Sequence, residues 1–407
     1  MENPLDYEPI EEFREVLLTA GPASAAAKIQ EYLDEQNNIP LNIAVTGESG
    51  SGKSTFVNAF RGINNRDEGA APTGCVETTS KPTAYAHPNY PNVTLWDLPG
   101  IGTTNFPADE YLKYVEFEKF DFFIIISADR FRENDVKLAL EIERMKKKFY
   151  FVRSKIDSNL RDAEEDQRDF SEERTLAQIR ENCIQGLQEQ GFESPQVFLV
   201  SSRKLHLYDF RLLEETLERE LPAHKRNALL FAMPNVSRGI IDKKKDALQS
   251  KIKYLASLSA LIASAPVPGL SITADLTMIV KTIKEYQVTF GLDNESLENL
   301  ARSTRLTLAD LRAVMKSPLA ATEITKELIV KVLSFSASEI ALMTAEEGSR
   351  FIPIIGIPAA MTCSFISTYS ALKTFLNMLA DDAQRVFTRA LGNMEHLRLL
   401  EYRAMSL

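Results

Sequence analysis

The segment from Gly47 to Ser54 has the residue types and spacing that bind a nucleotide phosphate. It reads GESGSGKS and matches the pattern GxxxxGK[ST]. An apolar run, LNIAVT, precedes it and a helical pattern, STFVNAFRG, follows it, so strand, loop and helix come in the order this motif requires. Glycines let successive backbone N–H groups point at phosphate oxygens, and the helix N-terminus presents positive charge to the same anion.

Within this motif we expect Lys53 to reach the β- and γ-phosphates and to act in catalysis, and the Ser54 hydroxyl to ligate Mg²⁺. The predicted phosphate-binding residues are Gly47, Glu48, Ser49, Gly50, Ser51, Gly52, Lys53, Ser54 and Thr55.

A second phosphate element follows about fifty residues later in the run VTLWDLPG, an apolar stretch that ends in DxxG. Asp97, at the end of the predicted strand, can hold Mg²⁺ through a water molecule. The Gly100 N–H can meet the γ-phosphate and sense its loss.

The base-reading element is Ser154-Lys155-Ile156-Asp157, which comes after the strand-like run FYFVR. The Asp157 carboxylate can accept hydrogen bonds from the N1–H and 2-amino groups of guanine, and adenine offers neither donor. A site of this kind can reject the wrong ligand by up to about 10⁴-fold. Lys155 would lay its stem across the ring, and Ser201 and Ser202, after the last predicted strand, resemble the loop that contacts guanine O6. The pattern predicts GTP and GDP as ligands.

Hydrolysis is encoded less directly. Ile101 follows DxxG where Ras-like proteins carry a water-orienting glutamine, so we expect slow intrinsic turnover. The segment Ala71 to Ser80, APTGCVETTS, is the natural first switch. Its candidate metal ligands are Thr73, Thr78 and Thr79. Glu77 is either a catalytic acid or a side chain that only faces solvent.

These residues need a scaffold, and the pattern predicts an α/β domain with a mostly parallel sheet covered on both faces. The supporting apolar runs are Leu41 to Thr46, Val93 to Trp96, Phe122 to Ser127, Phe149 to Arg153 and Val197 to Val200. Helical spacing occupies the rest. We predict N-terminal helices over 1–38, a nucleotide-binding domain over 39–224 and an all-α domain over 225–407, on which the N-terminal helices dock.

Composition narrows the function classes. A net charge of -10 and a pI near 5.2 argue against a protein that holds nucleic acid through many phosphate contacts. Cys75, Cys183 and Cys363 lack the spacing of a disulfide framework or zinc site, which favours a reducing, cytoplasmic setting.

The segments Tyr254 to Ala274 and Phe351 to Leu372 are free of charge, but proline and glycine interrupt both, so buried helical hairpins are favoured over membrane spans. Peripheral membrane contact is a separate expectation.

The strings GESGSGKST, APTGCVETT, WDLPGIGTTNFP and FVRSKID together resemble the immunity-related GTPases, the interferon-inducible family, in its GKS-type members. The resemblance spans nearly the whole chain. It implies a P-loop, Ras-like G domain and a helical domain in a large, dynamin-like GTPase with low basal turnover. It also implies dimerisation through the nucleotide faces and loading onto vacuole membranes around intracellular pathogens.

Carried over by motif, Lys53 and Ser54 would bind phosphate and Mg²⁺, and Glu77 would contribute to hydrolysis across the dimer. Thr73 and Thr79 would lie in the first switch. Two positions depart from common patterns: Ser154 replaces the asparagine or threonine of many GTPases, and Glu2 replaces the glycine that N-myristoylation needs.

Three functions follow as hypotheses. The first is a GTPase triggered by self-assembly, with a homo-dimer or oligomer, related GTPases and membranes as partners, in a cytoplasmic setting with peripheral association. The second is a slow switch that loads GTP and recruits partners or membranes without significant turnover. The third, a GTPase of ribosome assembly, is disfavoured by the acidic charge.

Overall fold

The computed structural model describes residues 9–74, 79, 81–99, 114–128, 133–263, 270–319, 323–335, 348–352, 357–358 and 361–405. The chain divides into two compact units. One is Pro40–Val236, the nucleotide unit, and the other is Met1–Ile39 with Ser237–Leu407, the helical unit. The division after Val236 lies beyond the predicted position 224. The helix at Ala223–Ala232 packs within the nucleotide unit, where Phe231 stacks on Tyr90 with ring centroids 6.2 Å apart.

Among the described residues, the nucleotide unit contains a six-stranded sheet in the order β2-β3-β1-β4-β5-β6. The strands are β1 Leu41–Thr46, β2 Thr83–Ala86, β3 Val93–Asp97, β4 Phe122–Ser127, β5 Lys148–Arg153 and β6 Val197–Leu199. Only β2 runs antiparallel, with Thr83 opposite Asp97. The predicted α/β class with a mostly parallel sheet, together with helices, is confirmed.

Burial explains why the apolar runs form strands. All residues of β4 are buried, and its alternate side chains enter separate cores on the two faces of the sheet. Phe122 and Ile124 pack in one core, and Phe123 and Ile125 in the other. The strand that was not predicted, β2, is a four-residue edge strand with partly exposed alternating residues, so it lacks a continuous apolar run.

Helices cover both faces. The helices of the nucleotide unit are α3 Lys53–Phe60, α4 Glu133–Arg144, α5 Ile156–Asp166, α6 Glu172–Gln188, α7 Phe210–Glu220 and α8 Ala223–Ala232. Helices α3, α7 and α8 contribute to one core, and α4, α5 and α6 to the other.

The described part of the helical unit contains α-helices without a strand. They are α1 Ile10–Ala20, α2 Pro22–Asn37, α9 Arg238–Ala263, α10 Leu270–Thr289, α11 Asn294–Thr304, α12 Leu308–Arg312, α13 Lys326–Phe335 and α14 Thr362–Met405. The N-terminal helices pack on α9 through the edge-to-face rings of Phe13, Tyr32 and Tyr254, whose centroids lie 5.2 to 6.0 Å apart. None of the helices in the described ranges combines the length and apolarity that crossing a bilayer requires.

Candidate nucleotide-binding site

The loop from Gly47 to Gly52 joins β1 to α3 and takes its shape from glycines with positive φ. Gly47, Gly50 and Gly52 have φ angles of 134°, 78° and 98°. A Cβ on Gly47 would lie 2.1 Å from the Ile126 carbonyl oxygen of β4, so no other residue fits there without moving a central strand. The loop therefore begins in close contact with β4 of the sheet and leads into the N-terminus of α3.

Lys53 is the first residue of α3 and is buried, with 7% of its surface exposed. Its Nζ donates to the carbonyl oxygens of Gly47, at 3.2 Å, and Glu48, at 2.9 Å. These contacts hold the ammonium group over the loop, where the backbone amides of a glycine turn and a helix N-terminus favour an anion.

Asp97, the last residue of β3, lies beside the loop because β3 pairs with β1 in a register that places it opposite Val45. The carboxylate is fully buried. Its Oδ2 accepts hydrogen bonds from Ser54 Oγ at 2.5 Å and Thr79 Oγ1 at 3.0 Å. Burial raises the pKa of Asp97, an effect that Ser54, the charge of Lys53 and Thr79 partly offset.

This oxygen cluster fits Mg²⁺, which prefers hard oxygen ligands and commonly uses one or two protein groups with water and phosphate oxygens. Ser54 and Thr79 supply hydroxyls, and Asp97 supplies a carboxylate whose Oδ1 is buried without a hydrogen-bond partner among the described residues. A buried carboxylate oxygen left without a donor is costly unless a cation or water reaches it. Thr79, one of the candidate metal ligands, thus bonds the same carboxylate oxygen as Ser54.

The base-reading loop is tied directly to the phosphate loop. Ser154, after β5, donates through Oγ to the Ser51 carbonyl at 2.6 Å and also lies 3.2 Å from the Ser127 carbonyl. Lys155 adopts a left-handed conformation with φ of 55°, and its Nζ donates to the Gly50 carbonyl at 2.7 Å. Ser154 thus connects the two loops, at the position where many GTPases have Asn or Thr.

The remaining base-reading residues lie next to this connection in the chain. Asp157 is in the first turn of α5 and is partly exposed. The Ile156 N–H donates to the Val200 carbonyl at 3.4 Å, which joins this turn to the segment after β6. Ser201 is fully buried, and its Oγ has no partner among the described residues, while Ser202 is partly exposed.

The other predicted residues differ in how they are placed. Ser49 and Gly50 are exposed at the loop tip, whereas Glu48 and Thr55 are partly exposed. Thr73 is exposed to solvent, in contrast to the buried Thr79. Three predicted residues, Glu77, Thr78 and Gly100, lie outside the described residues.

One residue of this site was not predicted. The guanidinium of Arg153, the last residue of β5, is buried and donates to the carbonyls of Ala128 and Ser154, the latter at 2.8 Å. It thereby joins the end of β4 to the base-reading loop. The sequence signal was a single charge at the end of the apolar run FYFVR.

Comparison with known proteins identifies a family to which the sequence is similar. Residues 12–390 match the protein family described as "Interferon-inducible GTPase (IIGP)". Interferon-inducible GTPase 5 of Rattus norvegicus is 42% identical over 390 residues, covering 95% of this chain and 84% of the relative. Interferon-inducible GTPase 1 of Mus musculus is 42% identical over 315 residues, covering 77% of this chain and 76% of the relative. Among solved structures, Toc33 from Arabidopsis thaliana is similar over 44% of this chain and 77% of that chain, with 12% identity and a TM-score of 0.33.

Proposed function

This chain belongs to the interferon-inducible GTPase family, and we propose that GTP-dependent self-association through its nucleotide face activates hydrolysis. As a family member it binds guanine nucleotide, hydrolyses GTP to GDP and phosphate, and has a role in immunity. The proposal extends this role to cell-autonomous defence at membranes around intracellular pathogens.

The observation that carries the nucleotide-binding part of the proposal is that four residues converge beside one glycine loop. They are Lys53, Ser54, Thr79 and Asp97. The Lys53 ammonium would pair with the negative charge of the β- and γ-phosphates, and the loop amides would donate hydrogen bonds to the phosphate oxygens. Asp157 would accept from guanine, and Lys155 would cover the ring. Each of these groups binds or orients the nucleotide and leaves the attack on the γ-phosphate to water.

Mg²⁺ would be held by Ser54 and Thr79 directly and by Asp97 through water, in agreement with the buried free oxygen of that carboxylate. When bound, Mg²⁺ supplies positive charge that offsets the charge of the β- and γ-phosphates.

Self-association is proposed because this chain has Ile101 in place of the water-orienting glutamine. Another group must orient the water, and a second copy can supply it. Ser49 and Gly50 on the phosphate loop and Lys155 on the base-reading loop are exposed, and a second copy could contact them. Glu77 is the proposed catalytic acid that acts across the dimer.

Partners and place follow from the same proposal. The partners are a second copy of the chain, related GTPases and the surface of intracellular membranes, contacted peripherally from the cytoplasm. Nucleic acid is not a proposed partner, since the net charge of -10 disfavours binding to phosphate backbones.

The test is to measure GTP turnover per molecule over a hundredfold range of protein concentration in Mg²⁺ buffer, with ATP measured in parallel. A rate per molecule that rises with concentration for GTP alone supports the proposal. Tight GTP binding with a rate that stays flat and near zero would instead support the slow switch that acts by recruiting partners. Equal use of ATP would show that the assignment of Asp157 is wrong.

A further inference from the structure

Asn58 lies on α3 one turn after Ser54, on the same side of the helix, and is 1% exposed. Its Nδ2 donates to the Ala71 carbonyl at 2.9 Å, and its Oδ1 accepts from the Ala71 N–H at 2.7 Å. The second N–H of the amide donates to Asn65 Oδ1 at 3.0 Å. The side chain therefore bonds both backbone groups of one residue, as a neighbouring strand would, and fixes Ala71 at the start of the first switch.

Arg61, at the C-terminal end of α3, makes a second attachment. Its Nε donates to the Ala86 carbonyl and its Nη1 to the Gly69 carbonyl, both at 3.1 Å. The guanidinium carbon lies 5.3 Å from the centre of the Tyr85 ring, and the residue is 8% exposed. Burial lowers the pKa of this guanidinium. One side chain thus bonds the chain before the first switch, at Gly69, and after it, at Ala86.

Near the far end of the switch, Thr79 belongs to the oxygen cluster of Ser54, Thr79 and Asp97. Thr79 bonds Asp97, and Thr83 begins β2 opposite the same aspartate. Ala71 and Thr79 are therefore bonded to α3 and β3, the two elements that also carry Lys53, Ser54 and Asp97. Releasing Ala71 would loosen an attachment that precedes Thr79 in the chain, and a displacement of about 1 Å of a positioning group can lower turnover about 100-fold.

We propose that Asn58 and Arg61 are positioning residues for GTP hydrolysis, which fix Ala71 and Gly69 so that Thr79 reaches Asp97. The inference rests on the role proposed above for Thr79. It assigns a function to two side chains that act on the reaction through Thr79, in contrast to Lys53 and Ser54, which are proposed to bind the phosphates and Mg²⁺ themselves.

The experiment is a double-mutant cycle with Asn58→Ala, Thr79→Ala and the combined variant, measured by turnover at saturating GTP and by GDP affinity. We expect each single variant to turn over about 10- to 100-fold more slowly, with GDP affinity changed less than about threefold. Because Asn58 acts through Thr79, the combined variant should be no slower than Thr79→Ala alone.

A combined variant slowed by the product of the two single effects would overturn the positioning role. If Thr79→Ala turned over GTP at the wild-type rate, the assignment of Thr79 would fail first, and the inference with it. The two failures are thus told apart by the single variant.

Arg61 keeps the inference testable if Asn58→Ala does not fold. Arg61→Lys retains the charge but cannot bond two carbonyls in a fixed fork, so it should lose turnover while retaining GDP affinity. The matched control is Arg180→Lys, since Arg180 also bonds a strand carbonyl in this unit, that of Val197 at 2.8 Å, and pairs with Asp209. Loss of GDP affinity in step with turnover in Arg61→Lys, or an equal loss of turnover in Arg180→Lys, would show that the effect is only structural.

Discussion

Asp97 in the nucleotide unit and Asp382 in the helical unit are both fully buried aspartates, but their surroundings differ. Both oxygens of Asp382 are used: Oδ1 accepts from the Lys316 N–H and from Arg385 Nη1, each at 2.7 Å, and Oδ2 from the Ser317 N–H at 3.1 Å. Asp97 accepts two hydroxyl donors on Oδ2 alone, and its Oδ1 is left without a partner among the described residues.

The difference separates a carboxylate that holds a fold together from one that is prepared for a ligand. Asp382 bonds the turn after α12, and its charge is compensated within the unit, so removing this carboxylate would leave its buried donors without an acceptor. The burial of Asp97 raises its pKa and is compensated only in part, so its charge is costly until a cation arrives. Substitutions of these two aspartates and of the nucleotide-binding residues test this contrast.

Lys53→Ala should lower GTP affinity by about 1,000-fold, because the variant loses charge-assisted hydrogen bonds to two phosphates. Thermal unfolding without nucleotide should change much less than GTP affinity, since the Lys53 Nζ bonds carbonyls of the glycine loop. Isothermal titration with GTP and GDP checks this, with Lys148→Ala, an exposed lysine of the same unit, as control. Unchanged affinity would show that Lys53 does not bind the phosphates.

Asp382→Ala should lower the free energy of unfolding by about 3 kcal/mol, because two backbone N–H groups and a partly buried arginine lose their acceptor. Urea unfolding measures the loss, and GDP affinity of the folded protein should stay at the wild-type value. The neighbouring, exposed Asp381→Ala is the control. If the Asp382 variant were as stable as the control, the contrast between the two aspartates would disappear.

Asp157→Asn should reduce the preference for GDP over ADP by about 100-fold, since an amide presents a donor to the guanine donors. Competition binding of the two nucleotides gives the ratio directly. Asp162→Asn, an exposed residue on the same helix, should leave the ratio unchanged. A variant that still excluded ADP as wild type does would place base recognition elsewhere.

Asp97→Asn should have the smallest effect on the fold: without nucleotide and Mg²⁺ at neutral pH, it should be as stable as wild type or more stable by about 1 kcal/mol. The sign follows from the raised pKa of Asp97. That shift contributes stability below the unfolded-state pKa and loses it as pH rises through the folded-state pKa. The difference between variant and wild type should therefore shrink on acidification.

Urea midpoints from about pH 4 to pH 8, with a chelator present, check the sign. Adding Mg²⁺ and GDP should then stabilise wild type more than the variant, because the variant has lost a metal-facing carboxylate. If Asp97→Asn lost as much stability as Asp382→Ala, the main role of Asp97 would be structural.

Much of the phosphate-binding part of the site could be predicted from the sequence because its residues are contiguous. Gly47 to Ser54 form loop and helix start in one stretch, and the strands before the phosphate loop and the base-reading loop are mostly apolar runs. The edge strand β2 could not be read in the same way, since four residues with alternate exposure carry a weak pattern. Arg153, Asn58 and Arg61 were missed because their partners are carbonyls and amides, which leave no mark on the sequence.

What the sequence determined by itself is the local chemistry: a glycine loop, a lysine and hydroxyl at a helix start, and an aspartate after a strand, because neighbouring residues dictate backbone conformation. Tertiary structure alone decided which distant groups meet. It brought Thr79 and Ser54 onto Asp97, Ser154 onto Ser51, and Asn58 onto Ala71, and it gave Asp382 its donors. These meetings depend on strand register and helix packing, which only the whole unit specifies.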